Sequence, residues 1–508
     1  MSKKRRHKGS KSGPPPRVPP RSAGGLPTSL PPARAETHAV SGCDSRAGTA
    51  TPIPAISCIR FEITGTIQAL SAMHVGTGER ANLIGFAAMA DDPDPPQYAT
   101  LVRDVDCKPY LPGTTLKGLL RRVAESEVAE QRLDADVLTS LFGAIAPDGT
   151  SEGTVVGALS VRGASHTSGG DSAGMPYAGR VADGAFIAAR TRIDRHAGTA
   201  ADNKLFFQEM VAPGARYRLS LILEGRATRG KPAWLPGLLK VLHALTDRDG
   251  WAIGKGQADG QGRIRLDPDS VSVATISVGT TGELISDVVR HHFDATIGAR
   301  AAAVTEARFV LDCPGPFLVV DSSHVPARDA EGDPVGPQVK AQEAAGAPML
   351  SGSSVTGVLR ARAAWLEALR HGGAMAAAEI DDPDKTFLAG MTLTAVERLF
   401  GISGFRGLLE VMELSVSKAS KIDLTSVRLD RFSGAPIDNA LFTTSAFVGT
   451  RLTLRLGLRG RGGTAPYPAE RELFERLIAD LRGNGMVLGH GGNVGFGWFS
   501  VTESGDAD

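Results

Sequence analysis

Apolar and polar positions along this chain follow an order that runs through twice. The segments "IRFEITGTIQAL" at 59–70 and "ARFVLDCPGPFLVV" at 307–320 alternate with period two, and each predicts an opening strand with one buried face. A turn then leads into "YLPGTTLKGLLRRVAE" at 110–125 and "MLSGSSVTGVLRARAA" at 349–364. In the first of these, Leu116, Leu119, Leu120 and Val123 recur at helical spacing and form a stripe to be buried. The tripeptide Leu-Phe-Gly follows in both halves, at Leu141–Gly143 and Leu399–Gly401. Next, "RIDRHAGTAADNKLF" at 192–206 pairs with "RLDRFSGAPIDNALF" at 428–442, and the charged, turn-rich residues predict a protruding hairpin. Each leads into an alternating strand ("RYRLSLIL", "RLTLRLGL"), a second helix ("LPGLLKVLHAL", "ERELFERLIADL"), a glycine loop and a closing strand.

Reduced to elements, each half reads β–α–β–β–α–β with an insertion before the third strand. That order predicts an α+β protein of two tandem ferredoxin-like (RRM-like) domains, each an antiparallel sheet with both helices on one face, carrying hairpin insertions. The domains are placed at 56–272 and 304–508, with a connector at 273–303 that has room for some helix. Residues 1–55 are rich in Pro, Ser, Gly and base, with little to bury, and read as a disordered tail.

Composition narrows the class. The chain has 508 residues, enough for two or three cores, and 42% hydrophobic with 22% charged residues is a globular balance. No run approaches the roughly 18 apolar residues of a membrane span. Four scattered cysteines, Cys43, Cys58, Cys107 and Cys313, give no CxxC pair, which argues against a disulfide framework or a cysteine zinc site and suggests the cytosol. Residues 1–35 hold nine Lys and Arg and no acid, which leaves 47 bases against 55 acids in the remainder. The tail could grip phosphate without regard to sequence or be a plain solvated leader. A nucleic-acid binder with so acidic a body must gather its positive charge on one face.

Three repeated motifs carry the candidate chemistry. The loops "GKGQADGQGR" (254–263) and "GHGGNVGFGW" (489–498) align Gly254, Gly256, Gly260 and Gly262 with Gly489, Gly491, Gly495 and Gly497 at a constant offset of 235. A dinucleotide fingerprint needs a strand before and a helix after, and here a helix precedes and a strand follows. What remains is a loop open to φ > 0, to close backbone approach and to an anion-binding nest of N–H groups, or simply a tight connection. At the first helix start, Thr114 or Thr115 can cap the helix, with Lys117 and Arg121 one turn apart behind its N-terminus, a surface suited to phosphate. The second copy keeps Gly352, Ser353, Ser354, Gly357 and Arg360 but has Thr356 in place of Lys117; the plain alternative is a capped helix with a solvated basic face. The hairpins carry Arg192, Asp194 and Arg195, and Arg428 and Arg431, as basic fingers or as self-paired surface charges. At 5% aromatic residues, base stacking on exposed rings is not the expected mode of binding, and holding of the phosphate backbone is.

Together, "YLPGTTLKGLLR", the "RIDR" and "RLDR" hairpins and the glycine loops resemble the RAMP superfamily of CRISPR-associated proteins. The likeness is greatest to the backbone subunit that polymerises along the guide RNA in type III effector complexes, here two copies fused in a type III-D-like arrangement. The resemblance implies that Thr114, Thr115, Lys117, Arg121, Ser353, Ser354 and Arg360 hold the guide with Lys255 and the glycine loops, and that the hairpins are thumbs between guide and complementary target RNA. It further implies metal-dependent cutting of the target, with Mg²⁺ or another divalent cation, supported by a loop aspartate. Candidates are Asp91, Asp92 and Asp94 in the first repeat and Asp329, Glu331 and Asp333 in the second, Asp333 preferred; solvated acidic loops are the alternative. The segment "HVGTGE" at 74–79 matches the family's strand-end turn, which has decayed to "VVDSSH" in the second repeat. Implied partners are guide RNA, target RNA and other subunits of the complex, with no membrane. Two alternatives stay open: a scaffold without catalysis, and a metal-independent endoribonuclease of guide maturation using His74, His196 or His490, none of which has a His counterpart in the other repeat.

Overall fold

A computed structural model describes residues 58–83, 96–145, 154–170, 185–193, 200–226, 234–278, 284–294 and 304–502, apart from 322–323, 331, 333, 345, 374–376, 383, 418 and 461–465. The basic tail therefore lies outside the described residues.

In the first repeat the opening strand Cys58–Ala69 pairs antiparallel with Arg216–Arg226 from Cys58↔Arg226 to Gln68↔Arg216. Its other side takes the closing strand Arg263–Leu266. Leu159–Val161 adds to the far side of Arg216–Arg226, so the sheet runs closing, opening, third, second. The second repeat builds the same order from Trp498–Val501, Val304–Cys313, Thr450–Arg459 and Leu409–Ser417.

Period-two alternation sends Ile63, Ile67, Leu219, Leu221 and Leu223 to one face of the first sheet, all buried. The helices Gly113–Ala129 and Trp234–Ala244 cover that face, with Leu116, Leu119, Leu120, Val123, Leu238, Val241 and Leu242 sealed in one core. The second core repeats the scheme. Leu452, Leu454, Leu456 and Leu458 meet Val355, Leu359 and Ala363 of Gly352–Arg370, and Leu473, Phe474, Leu477 and Leu481 of Pro468–Asn484. The Leu-Phe-Gly tripeptides end two short helices, Ala135–Phe142 and Ala395–Phe400, each stopped by its glycine at positive φ.

The insertions are long hairpins that found small sheets of their own. Ala185–Ile193 and Ala200–Val211 join Gly76–Asn82 and Gln97–Leu101, while Ser420–Leu429 and Pro436–Val448 join Val339–Lys340. Among its described residues, the connector placed at 273–303 proves to be largely strand. Val271–Val278 pairs on one side with Arg60–Thr64 of the opening strand and on the other, antiparallel, with Leu284–His291. Its alternating β-branched residues bury Val271 and Val273 against the first core, which a helix there could not do as well.

Candidate nucleic-acid interface

The glycine loops keep one geometry in both repeats. Gly254, Gly256, Gly260 and Gly262 have φ of 71°, 75°, 75° and 70°, and Gly489, Gly491, Gly495 and Gly497 have 82°, 82°, 89° and 68°. Side chains at such angles are strained, and six of the eight positions also lack room for a Cβ. A Cβ on Gly254 would lie 2.1 Å from the His74 carbonyl oxygen, and one on Gly489 2.3 Å from that of Leu318. The hydrogen bonds match as well. Lys255 N–H donates to His74 O at 3.0 Å and His490 N–H to Leu318 O at 2.8 Å, while Gly262 N–H reaches Ala72 O and Gly497 N–H reaches Pro316 O. These four N–H groups are spent within the protein, so of the two readings open for the loops they serve the tight connection and not an anion nest. The glycines let each loop seat its backbone on the turn after the opening strand.

That seating projects a side chain. Lys255 and His490 occupy equivalent positions, and both are exposed. They line a cleft of about 2750 Å³ that draws on both repeats. Gly256, Gly260, Gly489 and Gly491 lie along it, with Ser353 and Ser354 of the second helix start and Arg192 of the first hairpin. Arg248 and Arg308 add exposed guanidinium groups to its wall. Lys255 Nζ stands 5.7 Å from the Phe206 ring centroid. Hydroxyls, glycine backbone and cations around an open cleft are the groups that hold a phosphodiester chain.

A half-buried polar knot forms part of the cleft lining. Arg190 donates to Ser353 Oγ at 3.1 Å, and the Gln261 amide, turned with its oxygen toward Arg190, accepts from both guanidinium nitrogens at 2.8 and 2.9 Å. Thr356 donates to Asp259 Oδ1 at 2.7 Å. Burial pushes the Asp259 carboxyl above its ordinary pKa, against the Thr356 hydrogen bond and the Arg190 charge. Burial likewise lowers that of Arg190, which the Asp259 charge partly offsets.

Several sequence-derived candidates sit elsewhere. Thr114, Thr115, Lys117 and Arg121 do not line the cleft. Contrary to expectation neither threonine caps that helix: Pro112 occupies the cap and no side chain bonds there, whereas Ser351 caps the second helix by accepting from Ser354 N. Lys117 Nζ donates to the Leu159 carbonyl at 3.0 Å, and Arg121 pairs with Glu125 at 3.1 Å on the surface. Arg360 holds Asp381, a carboxylate 2% exposed, through Nε at 3.0 and 2.9 Å, which is a framework ion pair. Gly254, Gly262, Gly495 and Gly497 do not line the cleft. Arg192 pairs with Asp384 at 2.7 Å. Arg428 and Arg431 are exposed on the second hairpin, whose tip Asp430 organises by accepting from Phe432 N and Ser433 N at 3.0 and 2.7 Å. Asp91, Asp92, Asp94, Asp194, Arg195, His196, Glu331 and Asp333 lie outside the described residues.

His74 is 5% exposed, and its Nδ1 donates to Glu209 O at 2.7 Å, so it belongs to the framework and not to an open acid–base site. Burial holds its pKa below the ordinary histidine value. Among the described residues no group of three or more His, Cys, Asp or Glu is placed to hold a metal ion, and no helix is long and apolar enough to cross a membrane. The sequence reading missed Arg190, Asp259 and Arg263. A signal was available for the last two, because the aligned loop has Val494 and Trp498 at their positions.

Comparison with known families places the chain. A family model of the RAMP superfamily matches residues 66–265 and again 315–500, and the chain belongs to that superfamily. It carries two copies of the module, consistent with the doubled fold. A comparison with curated proteins gives no match.

Proposed function

We propose that this RAMP-superfamily chain is a guide-RNA-holding backbone subunit of a type III CRISPR effector complex in antiviral defence, with two ferredoxin-like backbone modules fused in a type III-D-like manner. The observation that carries the reading is the equivalence of Lys255 and His490: one glycine loop per repeat, each aiming a basic side chain at one shared cleft. Such a surface grips phosphates and sugars without reading bases, as a protein must when its guide varies. Ser353 and Ser354 supply hydroxyl groups beside the loops, and Arg248 and Arg308 supply charge at the wall. The exposed hairpin bearing Arg428 and Arg431 serves as the thumb toward complementary target RNA.

Cutting of the target is part of the proposal and rests on the family likeness of the acidic loops. A divalent cation bound there would stabilise the charge that builds on the scissile phosphate. The chain's own contribution is to fix the guide–target duplex so that one phosphate falls beside Asp91, Asp92 or Asp94, or beside Asp333. The experiment is to co-express the chain with its neighbouring genes and a guide locus, purify the complex, and add end-labelled complementary RNA with Mg²⁺ or EDTA. Metal-dependent, evenly spaced cuts that disappear in Asp333→Asn or in an Asp91, Asp92 and Asp94 triple variant are the expected result. Bound guide with intact target leaves a scaffold alone. Absence of co-purifying RNA overturns the whole reading.

A further inference from the structure

The two repeats meet through unlike surfaces. The glycine loop of the first sits on the helix start of the second, where Thr356 bonds Asp259 at 2.7 Å and a Cβ on Gly352 would lie 1.8 Å from the Asp259 carbonyl oxygen. Beside them, Arg263 faces Glu410 at 3.7 Å and donates to Val411 O at 3.3 Å, both partners buried. A contact between two different surfaces does not close on itself. It leaves two open ends, the second glycine loop and the first helix start.

These ends do not repeat the chemistry of the internal contact. At the offset of 235, Asp259 and Arg263 become Val494 and Trp498, which are 68% and 56% exposed. A Cβ on Gly260 would meet the Val411 carbonyl at 2.8 Å, whereas one on its counterpart Gly495 would meet nothing within 4 Å. On the other end, Thr356 becomes Lys117, whose ammonium already serves Leu159 O, and Glu410 becomes Ser160. Stacking one chain on the next in the same way would set Val494 against a lysine and Trp498 against a serine. The threonine–aspartate hydrogen bond and the arginine–glutamate ion pair would both be lost.

We infer that the Val494–Trp498 face is a docking surface for a different polypeptide, one that offers a helix start of small residues with an apolar side chain where Thr356 stands, and not for a second copy of this chain. The type of partner follows from the internal contact, in which the same face of the first repeat is covered by such a helix start. An exposed tryptophan beside a valine is the kind of anchor that protein interfaces bury. The inference rests on the multi-subunit reading above for the presence of a partner, and it does not depend on RNA cutting.

The test uses the full complex with guide RNA and a photo-crosslinking phenylalanine analogue at position 494. The expected adduct joins this chain to a different subunit through the first turn of one of that subunit's helices, and Trp498→Asp loses that subunit while the chain keeps its guide RNA. Light scattering of the chain alone gives a monomer. An adduct with a second copy, an adduct with RNA, no adduct in an intact complex, or full retention of the subunit by Trp498→Asp each overturns the inference. Failure of any complex or RNA to co-purify instead removes the multi-subunit reading and this surface with it.

Discussion

Two glycines on one helix differ in what surrounds them, and their substitution separates packing from propensity. Gly352 opens the second repeat's first helix with its α-carbon against the Asp259 carbonyl, so Gly352→Ala forces backbone apart and should cost about 1–3 kcal/mol in urea unfolding. Gly357 lies five residues on, with nothing within 4 Å of an added methyl, so Gly357→Ala should stabilise by roughly 0.5–1 kcal/mol through helix propensity. Histidine gives a pH signature. Burial lowers the pKa of folded His74, so as pH falls through about 6.5 the unfolded chain takes up the proton first and stability declines. The loss levels off once folded His74 is protonated too. His74→Asn keeps a donor for Glu209 O and should flatten that part of the stability profile between pH 7 and 5. At this scale the sequence showed which residue types were present but not their partners. Arg360 looked like an RNA contact because Asp381 is 21 positions away, and Lys117 looked free because its acceptor is a backbone carbonyl of the strand Leu159–Val161, 42 positions on.

Elements with a regular period were legible and those without one were not. The opening and third strands and the long helices show alternation or a 3.6-residue stripe within one short window and form close to where expected, except that the second opening strand, expected over 307–320, ends at Cys313. The helices Ala135–Phe142 and Ala395–Phe400 are too short to show a stripe, and only their shared Leu-Phe-Gly end marked them. In the connector, the Gly-Thr-Thr-Gly between two Val- and Ile-rich runs was the unused sign of a hairpin. The second insertion hairpin makes its own prediction. Asp430 ties its tip by accepting from Phe432 N and Ser433 N, so Asp430→Ala should speed amide exchange at those two residues and leave the thermal midpoint of the whole chain within about 1 °C.

At the level of the whole molecule, duplication produced a heterologous pair in which a motif does different work in each copy. The first glycine loop is both cleft wall and cement, through Asp259 and Arg263, while the second is cleft wall with an apolar outer face. Asp259→Asn should be tolerated, since the amide oxygen still accepts from Thr356, whereas Asp259→Val should loosen the inter-repeat contact and lower the urea midpoint. The central claim is that both repeats hold one RNA backbone in the shared cleft, and the salt dependence of RNA binding tests it most directly. Guide RNA affinity would be measured from about 50 to about 300 mM KCl for the unaltered chain, for Lys255→Ala, and for Gly118→Ala as a control off the cleft. The account predicts that Lys255→Ala weakens binding several-fold to about tenfold and lowers the slope of log K against log salt by about one, while the control changes neither. An unchanged affinity and slope in Lys255→Ala would contradict it.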